Sequence, residues 1–189
     1  MKSCKFPYER ILVVGATGSG KSTLARELAA KLRLEYIELD ALYWAEGWSS
    51  VPNDVFRERV ERASAAPRWV SAGNYRFARD ILWPRAQAAI WLDYPLSTVF
   101  GQLARRTWQR WRTQEELWNG NRENFWVHFM VWSDRSLFGW LARSHGRLRR
   151  EYPLLFTRPE NLHLHVIRFG NPAETQEWLQ TLGEVALEI

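Results

Sequence analysis

The sequence predicts a three-layer α/β domain, a parallel sheet between helices, and three observations carry that reading. Short apolar runs alternate with segments of helical period along the whole chain. The first apolar run, residues 11–14, passes directly into a glycine-rich loop, after which Leu24, Leu28 and Leu32 recur at helical spacing. Several later runs end in carboxylates or polar turns, where ligands sit in an open parallel sheet.

The opening strand, loop and helix carry the clearest chemistry. Gly15, Ala16, Thr17, Gly18, Ser19, Gly20, Lys21, Ser22 and Thr23 contain the pattern Gly-x4-Gly-Lys-Ser. A triphosphate is held by convergent backbone N–H groups at a helix N-terminus, where the macrodipole adds its positive end. The glycines leave room for that approach, Lys21 supplies a point charge to the β and γ phosphates, and the Ser22 hydroxyl is the expected Mg²⁺ ligand. ATP with Mg²⁺ is therefore the expected cofactor pair.

Composition narrows the class. At 189 residues the chain suits one α/β domain with insertions, taken as residues 1–189 with a helical insertion at about 101–152. Cys4 is the only cysteine, which excludes a disulfide framework and a cysteine-based metal site and fits a reducing cytoplasm. No segment has the apolar length of a membrane span, and the first ten residues have no apolar core of an export signal. The formal charge of +5 rests almost wholly on arginine, whose planar fork suits phosphate.

Residues 34–40 alternate apolar and polar side chains and read as the second strand, ending in Glu38 and Asp40 on one face. Asp40 is a candidate catalytic or metal-ordering carboxylate and Glu38 a candidate metal ligand. Tyr43, Trp44 and Trp48 follow, an aromatic stretch that reads either as an acceptor-pocket wall or as packing between helix and sheet. Pro52, at an expected first helical position, opens a helix ending near residue 66. Residues 68–72 form the third strand, and Gly73, Asn74, Tyr75 and Arg76 form a loop facing the expected cleft. A short helix over 77–85 precedes the fourth strand, 88–92, which delivers Asp93, either a metal-ordering acid or the cap of the next helix.

Helical runs over 95–118, 121–134 and 137–151 follow, broken at residues 119–121. Residues 101–152 hold ten arginines against five acids, which reads as a lid closing over phosphates or as an arginine and tryptophan surface for nucleic acid. Arg105, Arg106, Arg147 and Arg150 are the candidate phosphate ligands, and most tryptophans are assigned to packing. Residues 162–169 form the fifth strand, with His163 and His165 on its solvent side or seam, and Asn171, Pro172 and Glu174 form a capping box opening the last helix.

With these units in this order, the chain resembles the nucleoside-monophosphate-kinase group of P-loop proteins and, more narrowly, the adenylate-kinase-related topology modulation proteins. The resemblance rests on the phosphate loop, the run Glu-Leu-Asp-Ala-Leu-Tyr-Trp from Glu38, Gly73-Asn74-Tyr75, Trp91-Leu92-Asp93, the run Trp-Asn-Gly-Asn-Arg-Glu from Trp118, and the basic run before Tyr152-Pro153. It implies a P-loop NTPase fold with sheet order 2-3-1-4-5, ATP at the loop, an acceptor site between the second and third strand ends, and a mobile lid. Glu38 and Asp40 also resemble the Asp-x-Asp pair of shikimate-type kinases, whose second acid meets the acceptor hydroxyl. Ala72 stands where those families carry an acid, leaving Asp40, Glu38 and Asp93 to share metal ordering. The expectation is an ATP-dependent phosphotransferase: Lys21 and Asp40 with the lid arginines as catalytic groups, and Asp40, Tyr43, Trp44 and residues 73–76 around a small acceptor. A nucleotide-gated regulator associated with DNA is the alternative from another class.

Overall fold

The computed structural model describes residues 6–113, 118–120 and 137–182. Five strands, β1 (Arg10–Gly15), β2 (Glu35–Glu38), β3 (Trp69–Ala72), β4 (Ala88–Leu92) and β5 (His165–Phe169), form one sheet of order β2-β3-β1-β4-β5. Every adjacent pair is parallel. This is the P-loop order that the resemblance implies. Burial explains which strands are central: β3 and β4 are buried at every residue and β1 from Ile11 onward, as required of strands covered on both faces, while β5 is exposed along most of its length.

The helices are α1 (Lys21–Leu32), α2 (Leu39–Tyr43), α3 (Asn53–Ala63), α4 (Arg79–Leu82), α5 (Leu96–Thr113), α6 (Leu137–Phe156) and α7 (Pro172–Thr181). In α1, the positions Leu24, Ala25, Leu28 and Leu32 are buried, the stripe that helical spacing predicts. Ile11, Leu28, Phe56, Trp69, Ile90 and Leu103 are among the side chains with essentially no exposure, and burial of each stabilises by roughly 1.5–3 kcal/mol. The capping box is present: Asn171 Oδ1 accepts from the Glu174 N–H at 3.0 Å, and Glu174 reaches back to the Gly170 N–H at 2.9 Å.

Several boundaries differ from expectation. The second strand stops at Glu38, because Leu39, Asp40, Ala41, Leu42 and Tyr43, none of them β-branched, turn into α2. Glu38 and Asp40 therefore do not lie on one strand face. Pro52 is the residue before α3 rather than its first turn, and α3 ends at Ala63. The strand expected over 162–169 begins only at His165, because residues 159–161 form a 3₁₀ turn. The helix expected to end at Glu151 runs through Pro153 to Phe156, where Phe156 stacks on Trp83 with ring centroids 5.5 Å apart. The run expected over 95–118 is helical as far as Thr113, and the helix expected over 121–134 lies outside the described residues.

Candidate active site

Glycine geometry shapes the phosphate loop. Gly15 (φ 151°) has no space for a Cβ, which would lie 2.6 Å from the Leu92 carbonyl oxygen, and Gly18 (φ 85°) abuts Leu103 in the same way. Gly20 (φ 89°) faces open space at the mouth of α1, so the loop is packed from behind and open in front. Behind it the Ser19 hydroxyl is buried without a hydrogen-bond partner.

Lys21, at the start of α1, and Asp40 lie close enough to influence each other's charge. The Lys21 ammonium donates to the Ala16 carbonyl at 2.9 Å. Burial lowers its pKa to about 8; Asp40 opposes that shift and Arg106 adds to it. Burial raises the pKa of Asp40, although the Tyr75 hydroxyl donates to its Oδ1 at 2.6 Å and the Lys21 charge favours ionisation. The Tyr75 phenol is held well above its ordinary range by burial first and by Asp40 second. Arg106, on α5, is the lid arginine whose charge bears on both Lys21 and Asp40. Arg147 lies over the Trp140 ring at 5.7 Å, and Arg105 and Arg150 are exposed.

The aromatic stretch after α2 packs on itself. Tyr43 contacts Trp44, Phe56 and Tyr75, with centroids 4.9, 5.3 and 4.7 Å apart, and Trp44 continues to Trp48 at 5.8 Å. Trp118 meets Trp48 at 6.2 Å, and the Asn119 amide donates to the Trp44 carbonyl at 2.6 Å, so the 118–120 turn touches the acceptor-side loop. Gly73 (φ 146°) crosses Leu39 so closely that a Cβ would come within 2.9 Å of it. Asn74 bonds Gly15, Tyr75 bonds Asp40, and Arg76 is exposed.

Two metal-ligand expectations meet a different environment. Glu38 pairs with Arg26 of α1 at 3.2 Å. The buried Asp93 pairs with Arg149 of α6 at 2.8 Å and with Arg168 of β5, whose guanidinium also covers Trp91 at 4.9 Å. Each carboxylate thus engages arginine, with which a Mg²⁺ ion would compete for its oxygens, while Asp93 Oδ1 is buried without a hydrogen bond. The sequence reading did not single out Arg149 or Arg168, whose pairing with Asp93 is set by the parallel register of β4 and β5 and by the packing of α6. Ala72 is buried at the end of β3, between Val13 and Glu38 in register.

Among the described residues no group of three or more His, Cys, Asp or Glu side chains is arranged to hold a metal. Ser22, half-exposed at the start of α1, is the residue whose hydroxyl would meet a Mg²⁺ ion brought by a bound triphosphate.

Comparison with known proteins agrees with this geometry. The shikimate kinase family model matches residues 17–63, a stretch that includes Lys21, Asp40 and the aromatic segment. A shikimate kinase of Persephonella marina is 31% identical over 106 residues, covering 48% of this chain and 64% of that protein. A bifunctional pantoate ligase/cytidylate kinase of Gloeobacter violaceus is 37% identical over 87 residues, covering 44% of this chain and 15% of that protein. The chain thus spans less than two thirds of the length of either curated relative. Among solved structures, a shikimate kinase of Acinetobacter baumannii in complex with shikimate aligns over 92% of this chain and 90% of that one (TM-score 0.51, 18% identity). A gluconokinase of Sinorhizobium meliloti aligns over 94% and 90% (TM-score 0.51, 18% identity). With its sheet order and phosphate loop, the chain has the P-loop fold that these kinases share.

Proposed function

We propose that this chain transfers the γ-phosphoryl group of ATP to a hydroxyl of a small acceptor held beside Asp40. The open phosphate loop, with Lys21 at the start of α1 under the electrostatic influence of Asp40 and Arg106, carries this reading. The matched stretch 17–63 supports it, because it contains the first two of these groups. On phosphate binding, Lys21 exchanges the Ala16 carbonyl for phosphate oxygens. Asp40, with its raised pKa, accepts the acceptor's hydroxyl proton as that oxygen bonds to the γ-phosphorus and the bond to the β-bridging oxygen breaks, releasing ADP. Tyr75 orients Asp40, and Arg106 offsets charge on the transferred group. Ser22 would hold Mg²⁺, which would supply neutralisation of phosphate charge.

The acceptor class is a small hydroxyl-bearing anion. Relatives and structural neighbours are named shikimate kinase, gluconokinase and cytidylate kinase, which defines the first panel. Within the wider group, the Leu-Asp-Ala-Leu-Tyr-Trp run and the run from Trp118 support the topology modulation type. ADP release with shikimate, gluconate and nucleoside monophosphates tests the proposal. Acceptor-stimulated turnover that falls at least 100-fold in Asp40→Asn is expected. Turnover indifferent to every acceptor, together with nucleotide-dependent retention on duplex DNA, would favour a regulator instead.

A further inference from the structure

Strand β1 outruns its neighbour. On the β4 side the ladder continues to Gly15, opposite Leu92, whereas on the β3 side it ends with Val13 opposite Ala72, because the chain leaves the sheet at Gly73. The Gly15 peptide groups would therefore lack a strand on that side, at the point where β1 becomes the phosphate loop. Asn74 takes the place of that strand. Its Oδ1 accepts from the Gly15 N–H at 3.4 Å and its Nδ2 donates to the Gly15 carbonyl, so a side-chain amide supplies the donor and acceptor of a backbone peptide. Gln is one methylene too long for the same position, and Asp lacks the donor.

The amide is itself held from another element. The hydroxyl of buried Tyr152, on α6, donates to Asn74 Oδ1 at 2.8 Å across 78 residues of sequence. Neighbouring Tyr75 bonds Asp40, so residues 74 and 75 reach the phosphate loop and the acceptor-side carboxylate in turn. α6 belongs to the arginine-rich insertion, so one hydrogen-bonded relay joins that insertion to the loop.

We infer that Asn74 is a positioning residue: its amide completes the ladder that β3 leaves unfinished, and Tyr152 orients it, so that the Gly15 peptide and the nucleotide loop are set from helix α6. This deepens the phosphotransferase reading by assigning a coupling element to the same site, and it rests on that reading for its consequence in catalysis. The relay has two ordered parts acting on one peptide, so loss of either should release Gly15, and loss of both should do no more than loss of Asn74 alone.

Hydrogen exchange on the ligand-free full chain tests the relay without requiring nucleotide binding. Asn74→Ala, Asn74→Asp and Tyr152→Phe should each speed exchange over residues 15–20 by at least about tenfold while residues 88–92 keep their protection, and Asn74→Ala/Tyr152→Phe should match Asn74→Ala. Loop exchange within twofold of wild type in Asn74→Asp and Tyr152→Phe, or effects that multiply in the double variant, would overturn the inference. Calorimetry with magnesium and ADP separates this from the parent reading: absence of binding by the wild type refutes the nucleotide site, whatever the exchange result. Given wild-type binding, an affinity about tenfold weaker in Asn74→Asp at unchanged melting temperature is the expected result, and equal affinity would overturn the relay's functional role.

Discussion

At the scale of single residues, burial moves Lys21 and Asp40 away from their ordinary pKa values, and the charge of each opposes the other's shift. Lys21 titrates near pH 8 because burial disfavours its charge, so nucleotide affinity should fall above pH 8 by up to about tenfold per pH unit. Calorimetry at pH 8.5 in two buffers of different ionisation enthalpy should show proton uptake on Mg-ATP binding, since phosphate restores the ammonium. Stability of the free protein moves the other way. Between about pH 8 and 10.5 the unfolded chain keeps a proton on Lys21 that the folded chain has released, so this group's contribution to stability rises with pH. Asp40 is the reverse case, a carboxylate whose ionisation is disfavoured by burial. Asp40→Asn removes that penalty and leaves an oxygen for the Tyr75 hydroxyl, so its melting temperature should equal or exceed the wild type's while turnover collapses. A large loss of stability would show that the Asp40 charge is structurally required.

At the scale of elements, the phosphate loop provides a contrast between two glycines. Gly15→Ala meets both a positive φ and the Leu92 carbonyl and should destabilise by about 2–5 kcal/mol, whereas Gly20→Ala meets only the strained φ and should lose about 1–2 kcal/mol. Thermal melting of the two variants checks the order, and equal losses would place the strain elsewhere. This loop was legible because its chemistry is contiguous: strand, glycines, lysine and helix stand within 22 residues, Ile11 to Leu32. Asp40 was read as a candidate carboxylate from its place at the end of an alternating run, yet its helix was missed, since alternation over 34–40 continues past the point where backbone preference changes. Partners distant in sequence left no local pattern. Asp93 with Arg149, and Tyr152 with Asn74, are pairs brought together only by the fold, and composition alone marks none of them.

At the scale of the whole molecule, the insertion is fastened to the sheet by polar ties as well as by packing. His145 Nε2 donates to the Tyr94 carbonyl at 2.9 Å, Arg149 pairs with Asp93, Glu151 pairs with Arg79 at 2.9 Å, and Tyr152 reaches Asn74. These ties lie within eight consecutive positions of α6, His145 to Tyr152, and end in the segment that follows β4, on α4 and in the loop after β3. The helix is thus registered against the phosphate loop, and separately Trp118 of the 118–120 turn meets Trp48 of the acceptor-side loop. Asp93→Ala, which leaves two guanidiniums without their carboxylate, should destabilise by about 1–3 kcal/mol, less than a fully buried pair because both arginines reach solvent. Urea unfolding measures that loss, and an unchanged midpoint would show that the Asp93 ion pairs add nothing to the attachment of α6.

All these scales depend on a polyphosphate seated on the loop and met by Lys21. Calorimetric titration of the full chain with Mg-ATP, beside Lys21→Ala at equal fold stability, tests this most directly. The predicted result is saturable one-to-one binding that weakens about 10- to 100-fold in the variant. No heat with the wild type, or the same affinity in both proteins, would contradict the account.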